Sequence, residues 1–322
     1  MHPSRRAMLA FAAASILTSA AQAQGWPSKP IRLIVPFPAG GGTDIIAREI
    51  ANKLTSYGYN FVIDNKPGSG GNLGVDAAAK AAPDGYTLVL GQTSNLAINP
   101  TLYSKLPYDP VKDLTPVSLV ASSPLVIVAG SSTPYKTIAD VVKAAKDKPG
   151  FINYASSGNG TVSHLAGESF QKTAGIKLTH IPYKGASQGA TDVIGGEVQL
   201  YISTVPTLIG HIKSGKMRPV AVTSLQRVQD LPQVPTVAES GYKGFESTTW
   251  FGILGPANLP KDVVSKLNAD INKVLKESDL RQKLISQGAD VTGSSPEQFS
   301  SLIRDDIARW GKLVKESGAR ID

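Results

Sequence analysis

Two stretches of the chain carry residue types suited to holding an anion rather than breaking a bond. The first is 29–46, KPIRLIVPFPAGGGTDII. Its β-branched run at 31–35 reads as a buried strand. A loop of Pro38, Ala39, Gly40, Gly41 and Gly42 follows, and Thr43 and Asp44 open an amphipathic helix. Glycines let backbone N–H groups come close to a ligand, and a helix N-terminus favours negative charge. The second stretch is 153–165, NYASSGNGTVSHL, where Ser156, Ser157, Gly158 and Thr161 precede another helix start. Hydroxyls and backbone N–H groups are the donors a carboxylate needs. Two such loops in separate halves of one chain predict a ligand clamped between two lobes.

Other residues join this set by position. Thr93 and Ser94 follow a strand expected at 87–90, and Ser203 and Thr204 follow one at 198–202. In open α/β sheets the carboxyl ends of strands line the ligand crevice. His164 falls three residues into the second helix, where the positive dipole end disfavours its charged form, so it is expected to be a neutral hydrogen bonder to ligand or loop. Asp44 is expected either to cap its helix or to meet the ligand through water or a ligand amine. The glycine-rich stretch 65–72, NKPGSGGN, reads as a flexible connector, and Trp250 and Phe251 as core.

The chemistry that is missing narrows the function. There is no cysteine, so no disulfide, thiol nucleophile or thiolate metal site. No Gly-x-Ser-x-Gly elbow occurs, and His164 has no obvious acidic orienting partner nearby in sequence. The glycines at 40 and 42 are not a dinucleotide fingerprint, because Ile45 stands at the third glycine position. The stretch 210–217 nearly matches a phosphate-binding loop but places Met217 where a magnesium-holding hydroxyl is required, and it follows an expected helix. No metal-ligand spacing appears. No enzyme activity, cofactor or metal is expected.

Strand and helix signals alternate from residue 31 onward. Strands are expected at 31–35, 61–64, 87–90, 117–120, 125–129, 152–154, 178–181, 198–202, 219–222 and 248–254. Helices of about ten to fifteen residues separate most of them, the pattern of βαβ units and mainly parallel sheets. The C-terminal part is helical. In the helix expected from Pro296, Phe299, Ile303, Ile307, Trp310 and Val314 form one apolar stripe, and Ser295 with Glu297 and Gln298 makes a good start. Inter-lobe crossings are expected at 119–126 and 246–254. One lobe then holds 24–122 plus 248–322, and the other 123–247.

The first 23 residues read as a signal peptide: basic Arg5-Arg6, an apolar stretch at 7–20, and Ala21-Gln22-Ala23 before the cut. Arg5-Arg6 also fits a twin-arginine export signal, although an ordinary Sec signal is preferred. With no cysteine to carry a lipid, the exported chain is expected to diffuse freely in a Gram-negative periplasm. Its 322 residues carry a formal charge of +8, and losing Arg5 and Arg6 with no acids leaves 8 − 2 = +6. That balance suits an acidic small molecule. Basic residues are scattered, without the stripe or run that nucleic acid requires.

Several longer segments carry a resemblance: WPSKPIRLIVPFPAGGGTD, NKPGSGGNLGVDAAAKAAPDGYTL, LPYDPVKDLTPVSLVA, NYASSGNGTVSHLAGE, IPYKGASQGATDVIGGEVQL, LPQVPTVAESGY and WFGILGPANLP. Together they resemble the Bug family, the TctC-like extracytoplasmic receptors of tripartite tricarboxylate transporters, over nearly the whole chain after the leader. The resemblance implies an α/β two-lobed periplasmic-binding-protein (Venus flytrap) fold with two crossing strands. It implies a small carboxylate ligand: a di- or tricarboxylate, an acidic amino acid or an aromatic acid. The ligand would lie between the loops 38–44 and 156–164. The implied partner is a membrane permease with large and small subunits, TctA/TctB-like, served by a monomeric receptor. The rival reading is a sensor, the same fold presenting its carboxylate to a signalling protein.

Overall fold

The N-terminal third alternates strand and helix in the order the apolar spacing predicts. The structure is a computed structural model that describes residues 25–317, so the expected leader lies outside the described residues. Strand β1 (Ile31–Val35) leads through the glycine loop into α1 (Gly42–Leu54). Ile46, Ile50 and Leu54, four residues apart, bury one face of α1. Truncating a buried isoleucine such as Ile50 to alanine costs about 2–5 kcal/mol. The chain continues through β2 (Phe61–Asn65), α2 (Asn72–Ala79) and β3 (Thr87–Gln92). A turn of π-helix at Ser94–Ile98 and α3 (Asn99–Leu102) then lead to β4 (Leu114–Gly130).

The middle of the chain adds α4 (Ile138–Asp147), β5 (Asn153–Ser156), α5 (Val162–Ala174), β6 (Thr179–Pro182) and α6 (Ala186–Gly195). It closes with β7 (Leu200–Thr204), α7 (Val205–Lys213) and β8 (Met217–Val222). The last part comprises β9 (Thr248–Pro256), α8 (Lys261–Val274), α9 (Ser278–Ser286), β10 (Asp290–Val291) and α10 (Pro296–Ser317). Among the described residues no helix is long and apolar enough to cross a membrane.

The strands run in the order β2-β1-β3-β9-β4-β7-β5-β6, with β8 and β10 also pairing to β4. Pairs β1–β2, β1–β3, β5–β6 and β5–β7 are parallel. The centre is not: β9 is antiparallel to β3 and β4, and β4 is antiparallel to β7 and β8. The expectation of mainly parallel sheets therefore holds for the flanks and fails at the centre, where chain segments run back between the two halves.

The two strands expected at 117–120 and 125–129 are one strand, β4, of 17 residues. Up to Pro124 it pairs with β9, and from Leu125 it pairs with β7 and β8. Proline has no N–H to give a ladder, so a hand-over between partners is a place that tolerates it. The mixed α/β architecture thus has two lobes, each with its own sheet, sharing β4.

Helix α8 and the buried face of α1 cover one face of the first sheet with Leu33, Leu267 and Ile271. The predicted stripe of α10 covers the other. Phe299, Ile303, Trp310 and Val314 are buried there, with Ile307 packed alongside. Trp250 of β9 sits edge-on to Phe299 and its indole N–H donates to Asp306 at 2.6 Å, which is the core role expected of it.

Candidate ligand-binding cleft

Four helix N-termini meet at one cleft between the lobes. Gly42 and Thr43 begin α1, Thr161 and Val162 begin α5, Gly185 and Ala186 begin α6, and Thr204 and Thr207 belong to the first turn of α7; all line the same inner chamber. Each helix follows its strand directly, so the carboxyl ends of β1, β5, β6 and β7 aim their helices at this point. The first turn of a helix leaves up to four N–H groups without an intrahelical acceptor and carries roughly half a positive charge. Ser94, Gln92, Ser157, Ser163, Ser203 and Thr249 complete the polar lining, with Phe37 and Pro38 as the apolar wall. Among the described residues no charged side chain lines this chamber. The donors it offers are backbone N–H groups, hydroxyls and the Gln92 amide.

Hydroxyls from one lobe reach N–H groups of the other. Gly42 N–H donates to Thr207 Oγ1 at 2.9 Å, and Val162 N–H donates to Ser94 Oγ at 3.1 Å. Thr204 Oγ1 and Thr207 Oγ1 lie 2.8 Å apart, and Ser157 Oγ and Ser203 Oγ 3.2 Å apart. The triple glycine has two separate causes. Gly40 has φ +80, a backbone conformation that side chains strain, while a Cβ on Gly42 would stand 2.5 Å from Thr204 Oγ1.

Of the residues picked out in the sequence, Pro38, Gly41, Gly42, Thr43, Ser94, Ser157, Thr161, Ser203 and Thr204 come together in the inner chamber. Gly158 lines a wider outer chamber at the mouth, which Ser157 and Phe37 also border. Ala39 and Gly40 are exposed and lie outside both. Thr93, Ser156, Asp44 and His164 support the lining from behind. Thr93 Oγ1 accepts the Trp250 N–H at 3.0 Å.

Asp44 is 3 % exposed, and its carboxylate accepts from Gly40 N–H and Arg48 Nε, both at 2.9 Å, and from Asn65 Nδ2, also at 2.9 Å. Burial pushes this carboxyl up, but the bonds from Arg48, Gly40 and Asn65 outweigh it and hold its pKa below the usual value. Asp44 therefore secures the glycine loop.

His164 stacks on His180 with ring centres 4.2 Å apart, and Gly160 N–H points to its Nδ1 at 3.5 Å. Burial lowers its pKa against the pull of Glu168. Burial and the neighbouring His164 push His180 down to about 3. Both imidazoles are neutral at pH 7, so His180 Nε2 can accept the Ser156 hydroxyl 2.6 Å away, while Ser156 Oγ accepts Gly158 N–H at 3.1 Å. The pair braces the second loop.

Sequence reasoning passed over Phe37, Gln92, Ser163, Gly185, Ala186, Thr207 and Thr249. Signals existed for two groups: Gly185-Ala186 sits in the segment IPYKGASQ, and Thr207 lies one turn past Ser203. The stretch 65–72 also differs from the expected connector. Ser69, Gly70 and Gly71 line the outer chamber, and a Cβ on Gly70 would stand 3.1 Å from the Asn159 carbonyl across the cleft. Among the described residues no group of three His, Cys, Asp or Glu could hold a metal ion.

Residues 46–319 match the model of the tripartite tricarboxylate transporter family receptor. Three solved structures are close. One is Rpa4515 of R. palustris with adipate, 36% identical with TM-score 0.89, covering 92% of this chain and 100% of that one. The periplasmic binding protein BugD is 34% identical with TM-score 0.87, covering 92% and 99%. MatC (Rpa3494) from Rhodopseudomonas palustris with bound malate is 30% identical with TM-score 0.84, covering 90% and 100%.

Proposed function

Because this chain belongs to the tripartite tricarboxylate transporter receptor family, whose members are periplasmic solute-binding receptors and not enzymes, we propose that it captures a small carboxylate between its lobes for delivery to a membrane permease. The observation that carries this is the convergence of four helix N-termini on a chamber with no acidic lining. Such a site offers many donors and the positive ends of helix dipoles, while the Asp44 carboxylate at the start of α1 is taken up by Gly40, Arg48 and Asn65. Adipate and malate, bound by Rpa4515 and MatC, are carboxylates that a site of this kind would hold.

In the proposed cycle a carboxylate enters the open cleft and takes up N–H and hydroxyl groups from both lobes. It binds the closed arrangement more tightly, so the equilibrium moves toward closure. The closed receptor then docks on a permease with large and small subunits. A thermal-shift screen of residues 24–322 against a carboxylate panel tests the reading, since a ligand of the folded form raises the melting temperature by mass action. A selective rise with one acid supports it. A flat panel on protein stripped of co-purified ligand counts against it.

A further inference from the structure

A cavity of about 110 Å3 lies between helices α5 and α10 and shares no residue with either chamber of the cleft. Helix α5 follows β5 of the second sheet, while α10 covers the first, so each lobe supplies a wall. Ser247, one residue before β9, also lines it, which puts the cavity beside a connection between the lobes.

Two buried donors in this lining have no partner. Trp310 is 7 % exposed and Ser247 6 %, yet neither the indole N–H nor the hydroxyl finds a hydrogen-bond partner among the described residues. An indole nitrogen only donates, and a buried donor left unpaired is costly. The cavity therefore calls for an acceptor atom. Charges in the lining are also unused. Glu168 and Lys172 are spaced for a helical ion pair, but Glu168 Oε1 instead accepts from the Tyr154 hydroxyl at 2.8 Å and from Gln171 Nε2 at 2.9 Å. Lys172 and Glu246 line the cavity, are exposed and have no ion pair among the described residues.

We infer that this cavity is a second ligand site, for a small zwitterion with an apolar body, the chemistry of an aliphatic α-amino acid. Its carboxylate takes the Trp310 N–H, the Ser247 hydroxyl and the Lys172 ammonium. Its ammonium answers Glu246 and Glu168, whose two carboxylates against one lysine disfavour a simple anion. Leu165, Ala166 and the exposed Leu313 receive the apolar chain. A water needs roughly 10–15 Å3 of such volume, so the cavity admits about seven to eleven non-hydrogen atoms, the size of leucine.

Nuclear magnetic resonance on residues 24–322 tests this through the Trp310 indole N–H resonance, assigned by its loss in Trp310→Phe. The probes are L-leucine, 4-methylpentanoate, which lacks the ammonium, and 3-methylbutylamine, which lacks the carboxylate. L-leucine should shift the resonance saturably, and each of the other two should bind about fivefold more weakly or worse, the upper end for one exposed charge pair. Glu246→Gln should narrow the lead of leucine over 4-methylpentanoate, and Lys172→Met its lead over 3-methylbutylamine, each by about fivefold at most. Both substitutions are at exposed positions, so the fold persists. A resonance that leucine leaves in place would overturn the site, with water alone filling the cavity. Tighter binding of either singly charged probe, or a lead unchanged in either variant, would overturn the zwitterion assignment.

Discussion

Asp44, His164 and His180 stand behind the ligand loops, and their protonation governs the folded chain more than the ligand. Both imidazoles are kept neutral by burial, with His180 down to about 3. Tyr154 and Glu168 are the other titratable groups at this pair: the Tyr154 ring stacks on His180, and its hydroxyl donates to Glu168 at 2.8 Å. A folded pKa below the unfolded value of about 6.5 means that the unfolded chain binds protons first as pH falls. The contribution is complete above pH 6.5 and shrinks below it, by at most about 1.4 kcal/mol per pH unit for each histidine. Melting temperature should therefore fall between pH 6.5 and 4.5, and His180→Phe should flatten that fall. An unchanged pH profile in the variant would place the titration elsewhere. The lining makes a second prediction. Among the described residues neither chamber presents a carboxylate, so the ammonium of an acidic amino acid would be desolvated without a partner. Succinate should bind at least tenfold more tightly than L-aspartate in calorimetry, and equal affinities would refute an acid-free site.

The strand-to-helix junctions are the working units of the cleft, and the tightest is at α1. A methyl group on Gly42 meets Thr204 Oγ1 at 2.5 Å and Thr207 Oγ1 at 3.2 Å. Gly42→Ala should hold the lobes apart and weaken carboxylate binding tenfold or more, while the melting temperature of the ligand-free chain moves little because each lobe keeps its own core. A large drop in that temperature would show instead that the contact stabilises the fold. Ser157→Ala should also weaken binding without unfolding, since its hydroxyl meets only neutral hydroxyl partners, Ser203 and Tyr201, among the described residues. Three of the four junctions were legible in the sequence: glycine runs and Ser/Thr caps mark those of α1 and α5, and Ser203 and Thr204 mark that of α7 by following a strand. That of α6 was not. Gly185-Ala186 is ordinary locally and becomes part of the site only because the order β7-β5-β6 sets its helix beside α5. Strand β4 was hidden for a related reason. Ser122-Ser123-Pro124 breaks a local pattern, and only the change of partner strand at that point explains it. The stripe of α10 was legible because its spacing alone names the face to be buried.

At the scale of the molecule, both connections between lobes meet at one buried threonine. Thr223 Oγ1 accepts Leu125 N–H at 2.8 Å, where β4 passes to the second sheet, and its hydroxyl donates to the Ser247 carbonyl at 2.5 Å, one residue before β9. Tied in this way, the two connections should bend together. Across the cleft, the closed arrangement is held by neutral bonds such as Gly42 to Thr207 and Val162 to Ser94. Each nets about 0.5–1.5 kcal/mol, a contribution that a ligand bridging both lobes can exceed. Thr207→Val removes the Gly42 acceptor at nearly constant volume. It should raise the radius of gyration of the ligand-free chain in small-angle scattering, and saturating ligand should bring the radius back down. Apparent affinity should fall by the fraction of closed form lost, since a ligand must supply the free energy that the protein no longer does. If variant and parent scatter alike without ligand, the cross-cleft bond does not set the balance, and closure depends on the ligand alone.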